Sequence, residues 1–227
     1  MAAITGTCYM CESTATSYEH VPPKCIFPER KDLPPGVDYR KELFKVPSCD
    51  VHNLQKSRDD EYLLYILGGC FQINDVGLNQ YKTKIRRAIK RNSSVLARIA
   101  STAATCQIPD RNSGARVTSI AHKVDENRFN CIIDRLSRAL YFHHFREKWM
   151  WAVKYQAEFL FPSTDAADPA VARCKAISAS ADVWFEKSPY HGANPVAFHY
   201  QALDDPGSRK MRLHFYEGCK ILLLFNR

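Results

Sequence analysis

Two short motifs of one spacing constrain this chain more than any other feature. Cys8-x2-Cys11 stands near the start, and Cys49-x2-His52 follows after 37 intervening residues. Two ligands three positions apart reach one tetrahedral ion from a tight turn, and a second such pair completes the shell. Zn²⁺ accepts three sulfurs and one imidazole nitrogen. The plain alternative is an accidental Cys-x2-Cys and two unrelated residues. Between the pairs, "VPPKCIFPERKDLPPGVDYRKE" holds five prolines and one glycine in 22 residues, so it reads as loop with no room for a long helix. A segment with so few apolar residues gains its stability from an ion more readily than from a core. Cys25, in "PKCIFP", is the one rival ligand and lacks a paired partner.

The flanks of this loop, "TATSYEH" and "LFKVPS", read as short strands. A helix is expected from about residue 51 to 67, where Leu54, Leu63, Leu64, Ile66 and Leu67 build an apolar face and Gly68-Gly69 ends it. An ion held by Cys8, Cys11, Cys49 and His52 is closed and structural. Fixing Cys11 and Cys49 also brings Glu19-His20, on the first strand, towards Asn53, which follows the last ligand. A carboxylate and an amide oxygen suit Mg²⁺ or Mn²⁺. An imidazole beside them can take a proton from water. Together they are the equipment for metal-assisted hydrolysis of a phosphodiester.

The stretches "CYMCESTATSYEHVPPKCIFP" and "VPSCDVHNLQKSRDDEYL" resemble an HNH endonuclease with a ββα-metal fold and a zinc-knuckle pair, over about residues 8 to 66. The resemblance implies that His20 is the general base, that Glu19 and Asn53 bind the catalytic divalent ion, and that Lys56 contacts phosphate. It implies products with a 5′ phosphate and a 3′ hydroxyl. It also implies a place among stand-alone bacterial or phage nucleases, homing or restriction enzymes, or effectors of phage defence. His52 stands where the commoner form has cysteine, so His52 serving the catalytic ion is a second option. On the helix, Ser57, Asp59, Asp60 and Glu61 read as a solvated patch or as i,i+4 ion pairs, with a second metal-binding carboxylate as the sharper alternative.

The remainder, residues 68–227, is expected to be an α+β region following a 1–67 module, with a DNA-binding, oligomerisation or sensing role. Its first part holds seven basic residues between Lys82 and Arg98 and no acid between Val76 and Pro109. Ile85, Ile89, Leu96 and Ile99 make an apolar stripe, so a basic amphipathic helix or helix pair is expected, with Lys82, Arg86, Arg87 and Lys90 as candidate contacts to a DNA backbone. "PDRNSGAR" reads as loop. A helix capped by Asp125 or Asn127 follows, then a helix after "STDAADP", then three antiparallel strands turning at Asp205-Pro206-Gly207 and Glu217-Gly218. His143 and His144 point about 100 degrees apart on a helix and cannot readily share one ion. Trp149, Trp151 and Tyr155 read as core aromatics.

The net charge of +8 favours an anionic partner, and DNA is the one expected. A second copy of the chain or a regulatory protein is the other partner class. No run of apolar residues reaches membrane-spanning length, and "MAAITGTCYMCESTATSYEH" has no basic start or long apolar stretch, so neither a membrane span nor a signal peptide is expected. Nine cysteines, an odd number scattered through a chain of this size, fit reduced thiols in the cytoplasm. The rival to a nuclease is a non-catalytic zinc module that binds nucleic acid or a protein. It has no use for Glu19, His20 and Asn53 together.

Overall fold

The computed structural model describes residues 6–53, 57–91, 97, 101–110, 113–160, 168–205 and 207–226. Leu54, Lys56, Leu96, Arg98, Ile99 and Pro206, which carry parts of the sequence reading, lie outside the described residues. The chain is α+β, with antiparallel sheets. No described helix is long and apolar enough to cross a membrane.

The expected hairpin forms. β1 (Ser17–His20) pairs antiparallel with β2 (Lys45–Ser48), Glu19 opposite Val46 and His20 opposite Lys45. The proline-rich stretch between them is loop with two short helical turns, Lys24–Ile26 and Arg30–Asp32. α1 (Asp50–Asn53) starts directly after β2, and α2 (Ser57–Gly68) follows and ends where the two glycines predict.

α3 (Asp75–Gln80), a π-helical stretch (Tyr81–Ile85) and α4 (Arg86–Arg91) then form one basic segment. It lies on the proline-rich loop. Gln80 donates to the carbonyls of Cys25 and Ile26 at 3.1 and 2.9 Å, and Asn79 donates to that of Asp32 at 2.9 Å.

The helical expectation fails after residue 102. β3 (Ala103–Pro109) and β4 (Arg116–His122) make a two-stranded antiparallel ribbon, and the expected loop is its turn. α5 (Glu126–Phe145) is the long helix, capped by Asp125, whose side chain accepts from the Arg128 amide at 3.1 Å. β5 (Lys154–Ala157) and α6 (Pro169–Phe185) precede β6 (His191–Asn194), β7 (Phe198–Asp205), β8 (Ser208–Phe215) and β9 (Cys219–Asn226). The last three are the expected meander. β5 and β6, which the sequence did not announce, extend it to a five-stranded sheet in the order β5-β9-β8-β7-β6.

Strand alternation sorts this sheet into two buried faces. Phe198, Tyr200, Met211, Leu213, Ile221, Leu223 and Phe225 join one apolar core with α5 and with Tyr9, Ile26, Val46 and Leu63 of the N-terminal segment. Leu222 on the other face packs with Ala181 and Phe185 of α6. The core therefore runs unbroken past Gly68-Gly69. Where Gly218 approaches Gln72, a Cβ would stand 1.9 Å from the Gln72 carbonyl oxygen, so only glycine fits.

Candidate metal centre

The first knuckle is folded by backbone bonds. Thr7 and Thr14 bridge, and Cys8 N donates to Ser13 O at 2.9 Å. Tyr9 N donates to Pro47 O at 2.9 Å, which fastens the knuckle to β2. The second knuckle is the first turn of α1, where the amides of His52 and Asn53 both donate to Cys49 O at 3.1 Å. Thr16 Oγ1 donates to the Asp50 carboxylate at 2.6 Å across the two.

This brings together the four residues singled out by spacing. The donor atoms of Cys8, Cys11, Cys49 and His52 all lie within 4.8 Å of one another, and the group could hold a metal ion. His52 Nδ1 stands 3.4, 3.6 and 3.3 Å from the sulfurs of Cys8, Cys11 and Cys49, and the Cys11 and Cys49 sulfurs are 3.8 Å apart. Cys25 is elsewhere, with its thiol donating to the Asp60 carbonyl at 3.3 Å, and burial pushes it up to about 12. Burial likewise pushes up the Cys8 thiol, while hydrogen bonds from Ser13 draw Cys11 down. A buried thiol ionises at neutral pH when a cation compensates it.

One contributor has no local signal in the sequence. Lys148, just after α5, donates to Cys11 O at 2.8 Å, Thr7 Oγ1 at 2.7 Å and Glu12 at 3.0 Å. The C-terminal region thus grips the first knuckle directly.

The expected catalytic residues divide between the two faces of β1. Asn53 Nδ2 donates to Ser17 Oγ at 2.7 Å. Ser17 and Glu19 share a strand face by alternation, so Asn53 docks on the face that carries Glu19. Glu19 is 4% exposed and lines a small cavity with Asp59, Asp60 and Arg135. His20 falls on the opposite face with exposed Tyr18. Burial, then the charges of Lys45 and Lys24, hold its imidazole below the ordinary histidine range. The neutral ring is the form that accepts a proton.

The outer candidates fare unequally. Lys82, Arg86 and Lys90 are exposed. Arg87 instead forks onto the Asp32 carboxylate at 2.7 and 2.6 Å, so its guanidinium is committed within the protein. Among the described residues Asp59 has no i,i+4 partner of the expected kind. It takes Arg128 at 2.9 Å and Arg135, both from α5. His143 and His144 part as expected: His143 packs on Phe44 with ring centres 4.3 Å apart, and His144 Nδ1 lies 3.2 Å from Tyr200 Oη. Trp149 is buried at 4% exposure, and Trp151 is 46% exposed.

Compared with models of protein families, with curated proteins and with solved structures, the chain matches none.

Proposed function

We propose that the chain is a metal-dependent endonuclease that hydrolyses phosphodiester bonds in DNA from a ββα unit tied by structural zinc. The donor geometry supports zinc. Zn–S bonds of about 2.3 Å and Zn–N bonds of about 2.0 Å arranged as a tetrahedron require sulfur–sulfur edges of about 3.8 Å and sulfur–nitrogen edges of about 3.5 Å. The Cys11–Cys49 separation of 3.8 Å and the His52 separations of 3.3–3.6 Å fit those edges. His52 completes this shell, which leaves Asn53 to the second ion.

The observation that carries the reading is the Asn53–Ser17 bond beside the metal centre. It joins the residue after the last ligand to the strand that bears Glu19 and His20. With Nδ2 committed to Ser17, Oδ1 is the amide atom assigned to a hard cation. Glu19 and Asn53 would hold Mg²⁺ or Mn²⁺, which when bound stabilises charge on the phosphoryl oxygen and on the leaving 3′ oxygen. His20 takes the proton of the attacking water at a ring nitrogen. Lys45, directly across the hairpin from His20, helps keep the ring neutral and ready to accept that proton.

Two observations favour the second reading, a non-catalytic zinc module that binds nucleic acid. His20 falls on the face of β1 opposite the one that carries Glu19 and receives Asn53. Glu19 is 4% exposed, more enclosed than a ligand to an exchanging ion needs to be. Incubation with supercoiled plasmid, with and without Mg²⁺ or Mn²⁺, separates the two. The nuclease reading expects divalent-dependent nicking or linearisation that His20→Ala abolishes. Intact plasmid with every metal, or cutting that survives His20→Ala, sinks it.

A further inference from the structure

We infer that the β3–β4 ribbon is the element that reads duplex DNA, entering the major groove. The inference rests on the nuclease reading and names the form of its substrate. No residue of the ribbon whose side chain is described is buried, and neither apolar cluster includes one. Val117 is 39% and Ile120 62% exposed. A lone two-stranded ribbon is marginal in water and ordinarily buries one face on something. By register the half-buried Cys106, Ile108, Ser119 and Ala121 share one face, whereas Thr105, Gln107, Arg116, Thr118 and Ile120 on the other are all exposed.

Charge identifies the partner. Ten Lys and Arg residues and a single acid, Asp110, lie between Lys82 and Lys123. This segment carries +9, against +8 for the whole chain, with seven of its ten cations between Lys82 and Arg98, where Arg87 pairs with Asp32 and Lys84 with Glu29 and the others add to the surplus. The one acid is used inside the ribbon's turn, where its carboxylate accepts from the amide and hydroxyl of Ser113 at 2.9 and 2.8 Å. A surface of this kind fits a polyanion.

Shape and chemistry then select among polyanions. The major groove of B-form DNA admits a two-stranded ribbon, whereas that of A-form RNA is too deep and narrow. By register, one ribbon face carries Thr105, Gln107, Arg116, Thr118, Ile120 and His122. Gln107 Nε2 donates to Thr118 Oγ1 at 2.9 Å, which fixes the amide across the strands. Arg and Gln side chains are the readers of guanine and adenine edges, and methyl groups pack on the thymine methyl. Lys82, Arg86 and Lys90, exposed earlier in the same segment, suit the phosphates.

The test is fluorescence anisotropy without added Mg²⁺ or Mn²⁺, on the His20→Ala background so that cleavage cannot intervene and the zinc stays in place. The probe is a short DNA duplex enriched from a randomised pool. Gln107→Ala and Arg116→Ala should each weaken binding about tenfold, with the thermal midpoint unchanged because the ribbon adds nothing to the core. Lys82→Ala with Arg86→Ala and Lys90→Ala should lower the salt slope by up to about 3, and a duplex RNA of the same sequence should bind more weakly. Undiminished binding by the ribbon variants, or equal affinity for duplex RNA, overturns the inference. So does a ribbon variant that turns a dimer into a monomer while leaving DNA binding intact, since the ribbon is then a contact between copies. Ribbon-dependent binding by a wild-type protein that never cuts would remove the nuclease reading and leave this one standing.

Discussion

Asp59→Ala tests how α2 is held. Asp59 of α2 accepts from Arg128 Nε at 2.9 Å and from Arg135 Nη2, both on α5. The side chains are 22%, 23% and 17% exposed, so water screens them only in part. Hydrogen bonds to charged groups contribute about 1.5–3 kcal/mol each, and partial exposure places these at the lower end. Removing the carboxylate therefore costs about 3 kcal/mol, and leaves two guanidinium groups facing each other. Asp59→Asn keeps one acceptor and should cost about half as much. Burial works to raise this carboxyl, and the bonds from Arg135 and Arg128 outweigh it, holding it below the usual range. A depressed folded value means that the contribution is complete above the unfolded value, about 4, and is lost as pH falls through the folded one. Urea unfolding at pH 7 reads the loss, and a cycle with Arg135→Ala reads the coupling, expected at about 1–2 kcal/mol. A cost for Asp59→Ala below about 0.5 kcal/mol, or strict additivity in the cycle, would refute the argument.

Two other outcomes follow from the same structure. His214 is 7% exposed, and burial, followed by the charges of His199, Arg212 and Lys220, lowers it to about 3. The unfolded chain then binds this proton more readily, so stability is complete above about pH 6.5 and falls between there and about pH 3. Denaturant unfolding should show about 2 kcal/mol lost from pH 6.5 to 5 by this group alone; His214→Phe should flatten that limb, and an unchanged slope would contradict the assignment. Metal analysis of gently purified protein should find about one equivalent of zinc, reduced in Cys49→Ala and His52→Ala; less than about half an equivalent in the wild type would fault the zinc assignment.

Local spacing made the candidate metal centre legible. Four ligands in two three-residue steps need only two tight turns, and turn chemistry is local. The hairpin, α2 and the α5 cap were legible for the same reason. What failed was non-local. The expected basic helix gives no warning of a ribbon beyond it, because "AATCQI" suits either period, while "RVTSIAH", rich in β-branched residues, carries a strand signal. Arg212 and His214 look like the solvent side of β8, yet both are buried because α6 covers that face. Arg212 is compensated there by Asp182 at 2.5 Å and Glu158 at 3.0 Å. The partners of Asp59 lie about 70 residues further on, and no window of sequence joins them.

These long-range contacts bear on what a metal held by Cys8, Cys11, Cys49 and His52 would do for the fold. An isolated zinc finger unfolds when its ion is removed, because the ion supplies most of its folding free energy. This knuckle pair has other holds. Tyr9 N is bonded to Pro47 O, Lys148 to Cys11 O, and Tyr9 itself sits in the common core at 1% exposure. Tyr216 Oη donates to Ile26 O and fixes the loop between the knuckles to the C-terminal sheet. None of these bonds passes through the ion. Stripping the metal should therefore leave most of the far-UV circular dichroism and the β5–β9 sheet intact. The local loss falls on α1, whose first turn carries Cys49, His52 and Asn53. The Asn53–Ser17 bond is the tie between that turn and β1, so on the proposed reading cutting activity should vanish well before the fold does. Global unfolding on chelation would show that the shared core is too weak to stand without its ion, and that the metal, not the packing, joins the two halves of the chain.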